Sequence, residues 1–215
     1  MKTAATLLIL PFLCASGAPV RGDCGEGELH CNHDGTFESG YNWWSHPEGY
    51  GGLYYGAFAE AYDLGSGTLQ CGAYWVTQAG YLPAGYVDAY VWDGGVSREP
   101  GRVLAFAFDA QFRNIPAWPQ TGQNDVEIPV EVTGEFTIGY WLEDCWDDVW
   151  VAADLDGLGG RPWTCIAPGT EWPSGWQDPS IVFGPTQSLG IGVWFSAATT
   201  PSTTPTWGSV KSLFR

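Results

Sequence analysis

Asp125 and Glu127 stand two residues apart in an otherwise β-prone stretch. On an extended strand their side chains leave the same face, about 6 to 7 Å apart, a separation at which two carboxyl groups can share acid and base work on a glycosidic bond. Glu131, Glu135 and Glu143 could meet further carboxylates across strands. No glycanase-like motif surrounds the pair, and alternating surface charge gives the same spacing. The Ser-centred nucleophile elbow and the paired-His zinc motif are absent too. A second acidic set is Asp154-Leu-Asp156-Gly157, near Glu143, Asp144, Asp147 and Asp148. Calcium takes several oxygen ligands of this kind, whereas the twelve-residue EF-hand pattern is missing and Asp-Gly is an ordinary turn. Calcium at Asp154 and Asp156 is thus the one cofactor the sequence raises, beside a solvated acidic turn.

The other chemistry on offer is aromatic. Tyr41, Trp43, Trp44, His46 and Tyr50 crowd one Gly-rich segment, Trp118 lies in Pro116-Ala-Trp-Pro119, and Trp172 and Trp176 lie in Glu171-Trp-Pro-Ser-Gly-Trp-Gln-Asp178. Loops run over the surface and often carry binding residues. Proline beside several of these rings limits backbone freedom and lowers the entropic cost of a rigid contact. Trp43, Trp44, Tyr50, Trp118, Trp172 and Trp176 are therefore the expected ligand contacts. The same rings could instead plug the ends of a hydrophobic core.

Charge narrows the partners. The chain carries 24 acidic residues and no lysine between Lys2 and Lys211. From Asp23 to Ala198 the only cationic side chains, histidines aside, are Arg98, Arg102, Arg113 and Arg161. So acidic a body repels phosphate backbones and anionic lipid, which need clustered Lys or Arg. Nucleic acid is not an expected partner; cations, neutral glycans and extracellular proteins remain.

Met1 to Gly17 reads as a secretory signal peptide: Lys2, a short apolar run from Ala4 to Cys14, and the small residues Ala15-Ser16-Gly17. The run is too short for a transmembrane span, and no later stretch is long and apolar enough for one. Export to a secreted, extracellular or cell-surface location allows disulfides to persist. Cys24 with Cys31 and Cys145 with Cys165 are the sequence-local pairings, leaving Cys71 over, and Cys31 with Cys71 competes. Cys24, His30, Cys31 and His33 hold zinc-ligand chemistry, but adjacent His30 and Cys31 do not give a finger spacing.

These residues need a scaffold. After the signal the chain divides into a cysteine-bearing lead (18–33), one domain of about 165 residues (34–198), a Thr/Pro/Ser linker (199–206) and a basic amphipathic tail (207–215). Within the domain, Gly and Pro punctuate short segments of aromatic and β-branched residues, which predicts an all-β, antiparallel, jelly-roll-like β-sandwich. Strands are expected near Leu53–Tyr62, Thr68–Gln78, Tyr86–Asp93, Arg102–Asp109, Asp125–Val132, Glu135–Leu142, Val149–Asp154 and Leu189–Phe195, with Ala57 to Ala61 also compatible with a helix. Alternation puts Phe136, Ile138, Tyr140 and Leu142, then Leu189, Ile191, Val193 and Phe195, then Val87, Ala89 and Val91, and Val149 with Val151, on core faces. The opposite faces carry Trp141, Trp194, Trp92 with Tyr90, and Trp150. Those indoles either lie under loops or form a platform on which sugar rings can stack.

The segment Val87-Asp-Ala-Tyr-Val-Trp-Asp-Gly-Gly-Val-Ser-Arg-Glu-Pro-Gly-Arg-Val-Leu104, with Phe136-Thr-Ile-Gly-Tyr-Trp141, resembles jelly-roll accessory modules of large bacterial exoproteins. The tail, Trp207-Gly-Ser-Val-Lys-Ser-Leu-Phe-Arg215, resembles short C-terminal sorting or attachment signals of secreted bacterial proteins, analogous to those of type IX secretion cargo. The resemblance implies a noncatalytic module for adhesion or display, whose tail engages sorting machinery. The expected function is a secreted or surface-displayed module that binds a glycan or a protein neighbour. The alternatives are a structural subunit of an extracellular assembly and a small glycoside hydrolase.

Overall fold

The computed structural model describes residues 24–25, 27–43, 56–80, 84–94, 99–142 and 149–198. These form an almost entirely antiparallel β architecture: β1 (Glu28–Cys31), β2 (Ser39–Tyr41), β3 (Ala57–Thr77), β4 (Gly85–Gly94), β5 (Pro100–Phe112), β6 (Gly122–Leu142), β7 (Trp150–Asp154), β8 (Pro162–Ile166), β9 (Gly175–Gln177), β10 (Ser188–Leu189) and β11 (Ile191–Ala197). A single turn of helix, α1 (Ser180–Phe183), interrupts them. The main sheet runs β1-β11-β3-β6-β4-β5, with β8 beside β3, β9 beside β8, and β7 joining β2, β10 and the end of β3. The expected signal peptide, linker and tail lie outside the described residues.

Two pairs of expected strands are each one strand. Leu53–Tyr62 and Thr68–Gln78 become β3, and Asp125–Val132 with Glu135–Leu142 become β6. The intervening glycines bend the strands without ending them. Gly65 and Gly134 both have positive φ (76° and 74°), a conformation that costs little without a Cβ. The β3–β6 register skips between Asp63 and Ser66, beside Asp63↔Glu135 and Ser66↔Thr133, so both strands bend at the same place. Ala57 to Ala61 is strand, since extended pairing with β6 and β8 satisfies its backbone on both sides.

The bend folds the β3–β6 ribbon over on itself, in a sandwich-like arrangement. Tyr74, on one side of the bend, packs on Tyr140, on the other, at 5.6 Å between ring centroids, and its hydroxyl donates to the Gly139 carbonyl at 3.3 Å. Tyr62 donates to the Ile191 carbonyl at 2.5 Å, and Phe136 stacks on Phe195. The expected core faces are buried: Phe136, Ile138, Tyr140, Leu142, Leu189, Ile191, Val193, Phe195, Val87, Ala89, Val91, Val149 and Val151. Burying aromatic and aliphatic side chains of this size supplies about 1.5–3 kcal/mol each before entropy is counted.

The N-terminal lead belongs to the sheet from Glu28 onward, because β1 pairs with β11. Cys24 is disulfide-bonded, but to Cys71 and not to Cys31. The β1–β11–β3 order explains the pairing: Leu29 and Cys71 are both register partners of Trp194, so the segment before β1 lies near Cys71 while Cys31 lies farther along, opposite Gly192. Among the described residues Cys31 and Cys165 are free thiols, pushed up to about 12 and about 11 by burial. Cys145 lies outside the described residues.

Candidate functional site

The outer face of β4 and β5 gathers the exposed rings. Val87, Ala89 and Val91 of β4 face the core, so Tyr86, Asp88, Tyr90 and Trp92 face outward. On β5, Ala105, Ala107 and Ala110 pair with the core-facing residues, while Phe106 pairs with Tyr90 and Gln111 with Tyr86. Extra residues in β5 opposite Val87/Ala89 and Val91/Trp92 keep the two strands in phase and leave Val103, Phe106 and Phe108 outward. Phe106, Phe108, Tyr86 and Val103 are 55, 57, 48 and 42 % exposed.

The rings are continuous. Phe106 lies 4.5 Å from Phe108 between centroids, and Tyr90 touches Phe106 at 6.2 Å and Phe108 at 6.1 Å. Tyr90 stacks on Trp92 at 5.5 Å with planes 18° apart. Trp92 meets Trp176 of β9 edge-on at 5.2 Å, and Trp176 meets Trp141 of β6 at 6.2 Å. The strip thus grades from exposed phenylalanines to Trp92, which Trp176 helps to bury. Polar groups border it: Gln111 Nε2 donates to the Tyr86 hydroxyl at 3.0 Å, and Asp88 Oδ1 accepts the Asp109 amide at 3.1 Å.

The expected loop contacts have different fates. Trp176 joins the strip. Trp43 is a core plug: it is buried, its indole N–H donates to Thr164 Oγ1 at 2.7 Å, and it packs on Phe183 of α1. The Thr164 acceptor satisfies the one polar atom of that ring, so burial is the stable outcome. Trp172 is half-buried against Trp43 and the core. Trp118 is 40 % exposed after β5, where a cis Trp118–Pro119 bond follows and its amide donates to the Gln78 carbonyl. Trp44 and Tyr50 lie outside the described residues. Phe106 and Phe108 are not among the expected contacts, although Ala105-Phe-Ala-Phe108 alternates small and aromatic residues along a strand.

Asp125 and Glu127 do share one face of β6. Asp125 Oδ1 accepts from Gln123 Nε2 at 2.8 Å and from the Trp194 indole N–H at 3.3 Å, while Glu127 is exposed. Among the described residues Glu38, Asp154 and Asp156 could hold a hard cation, with one carboxylate oxygen of each within 4.8 Å of the others. Asp154 is nevertheless engaged with the backbone: it accepts the amides of Asp34 and Asp156 at 3.1 Å and of Gly157 at 2.6 Å. Glu38 accepts the Leu155 amide at 2.9 Å. These bonds build the turn after β7 with no cation required.

Two buried titratable groups lie elsewhere. Glu60 is completely buried and accepts from Asn32 Nδ2 at 2.8 Å, the Arg161 amide at 2.7 Å and the Leu189 amide at 3.0 Å, tying β3 to three other segments. Burial pushes its carboxyl up to about 7, against the pull of those donors. His33 is buried edge-on to Trp75 at 4.5 Å and against Phe37, and burial pushes it down to about 4. No helix among the described residues is long and apolar enough to cross a membrane. Comparison with protein-family models, curated proteins and solved structures finds no match to this chain.

Proposed function

We propose that this chain is a secreted or surface-displayed, noncatalytic module that binds a neutral glycan through the outer face of β4, β5 and β9. The continuous ring strip from Phe106 and Phe108 through Tyr90 and Trp92 to Trp176 supports this reading. Exposed rings grouped on one face of a β structure form an apolar surface of the kind that marks interaction sites. Flat rings stack on sugar faces, while Tyr86, Asp88 and Gln111 can meet hydroxyl groups. The acidic body disfavours anionic polymers, leaving neutral ones.

The test is depletion of the full chain from solution by a panel of insoluble polysaccharides. Retention on a neutral polymer that persists at high salt is expected. Failure on every polymer, or retention only on cationic ones at low salt, contradicts the proposal. A second reading, a subunit of an extracellular assembly, is favoured by the edge of β5, which among the described residues pairs only with β4.

A further inference from the structure

Strand β5 is thirteen residues long and, among the described residues, pairs only with β4. Its far side is a row of backbone donors and acceptors, a template for another strand. Natural edges of this kind are usually blunted by lysine, proline, charge pointing inward or a β-bulge. From Val103 to Phe108 the strand contains no lysine, proline or charge, and it is regular from Ala105 to Ala107, with a bulge on either side of that stretch. Its nearest charges, Arg102 and Asp109, stand outside that segment, and Arg102 already lies against Asp93.

We propose that two copies of this chain pair antiparallel through their β5 edges, on a twofold axis perpendicular to the sheet at Ala107. Such an axis preserves the faces of the sheet, so residues facing each other across the seam must lie on the same face. Centring on Ala107 sets Phe106 opposite the other copy's Phe108 and Phe108 opposite its Phe106. Ala107 faces itself, and beyond Phe108 the strand bulges at Asp109. No charge then faces a like charge across the seam. The four phenylalanines form aromatic cross-strand pairs, and the small Ala107 pair lets the backbones approach.

Self-pairing is favoured over a foreign strand because the neutral segment is self-complementary in this register, with the aromatic residues on one face and the alanines on the other. The opposing term is repulsion between two acidic bodies. That repulsion is screened beyond about 8 Å at physiological ionic strength, whereas the seam is neutral. Pairing therefore strengthens with salt.

The inference rests on the assembly reading. It is tested by sedimentation of the full chain over a wide concentration range, at low and high salt. The expected result is a concentration-dependent doubling of mass, promoted by salt and lost in the Phe106→Lys/Phe108→Lys variant, whose thermal midpoint stays near the parent's because both positions are exposed. Ala107→Cys gives a second readout. Facing residues of an antiparallel pair have Cα atoms about 4.5–5.5 Å apart, inside the disulfide window of about 4.4–6.8 Å. Mild oxidation of that variant is expected to yield a covalent dimer with a 107-to-107 crosslink by peptide mapping. A monomer under all conditions, a dimer that survives both lysines, or an Ala107→Cys dimer that forms no 107-to-107 crosslink overturns the proposal. A monomer that is still retained by a polysaccharide overturns the pairing alone and leaves the sugar reading standing.

Discussion

Buried polar atoms make the sharpest residue-scale tests. The hydroxyls of Tyr62 and Tyr140 are both in the core, but Tyr62 donates to the Ile191 carbonyl whereas the Tyr140 hydroxyl has no partner among the described residues. An unpaired buried hydroxyl is a desolvation penalty, and a paired one is a modest gain. Tyr62→Phe is expected to lower stability by about 1 kcal/mol in denaturant unfolding, while Tyr140→Phe leaves it unchanged or raises it. Equal losses in the two variants would contradict this assignment of hydrogen bonds.

Glu60 and His33 set opposite pH dependences. The Glu60 carboxyl is raised from 4.5 to about 7, so the stability it contributes is fully present below about 4.5 and lost as pH rises through about 7. His33 is lowered from 6.5 to about 4, so its contribution is fully present above 6.5 and lost as pH falls through about 4. The two slopes offset each other in the parent protein. Glu60→Gln is expected to expose the His33 slope, with stability falling more steeply on acidification. His33→Phe is expected to expose the Glu60 slope in the other direction. Parallel pH profiles of parent and variants would rule out both roles.

At the scale of elements, the bend in β3 and β6 decides whether the chain forms one flat ribbon or a folded sandwich. A Cβ at Gly65 or Gly134 would meet nothing within 4 Å, so its cost is the backbone conformation alone. Gly65→Ala and Gly134→Ala are each expected to lower stability by about 1–2 kcal/mol, with asparagine costing less, as read by thermal or denaturant unfolding. The same glycines limit what sequence shows. Alternation places Phe136 to Leu142 and Leu189 to Phe195 on the core face, because period-two burial is a local property. It breaks β3 and β6 in two because Gly65 and Gly134 look like turns, and only the partner strand reveals that both chains continue. Strands β8 and β9 escape notice because Pro162–Ile166 and Gly175–Gln177 are too short for a pattern. Cys71 as the partner of Cys24 depends on β1 reaching β11, a long-range pairing that spacing does not encode.

Over the whole molecule, the described tryptophans divide between packing and exposure. Trp43 and Trp172 close one end of the core with Phe183, so Trp43→Ala is expected to lower stability by about 3–5 kcal/mol as a large-to-small core change, seen as a lower unfolding midpoint. The most exposed described rings are phenylalanines on β5, set against Tyr90 of β4, with Trp176 arriving from β9. Their role is separable from stability because more than half of each Phe106 and Phe108 side chain is already in water. The most direct measurement is retention on the polysaccharide that depletes the parent chain, comparing Phe106→Ala/Phe108→Ala with Trp118→Ala, an exposed ring outside the strip. The account predicts that the double variant loses retention with an unchanged thermal midpoint, while Trp118→Ala is retained like the parent. Full retention of the double variant would contradict it.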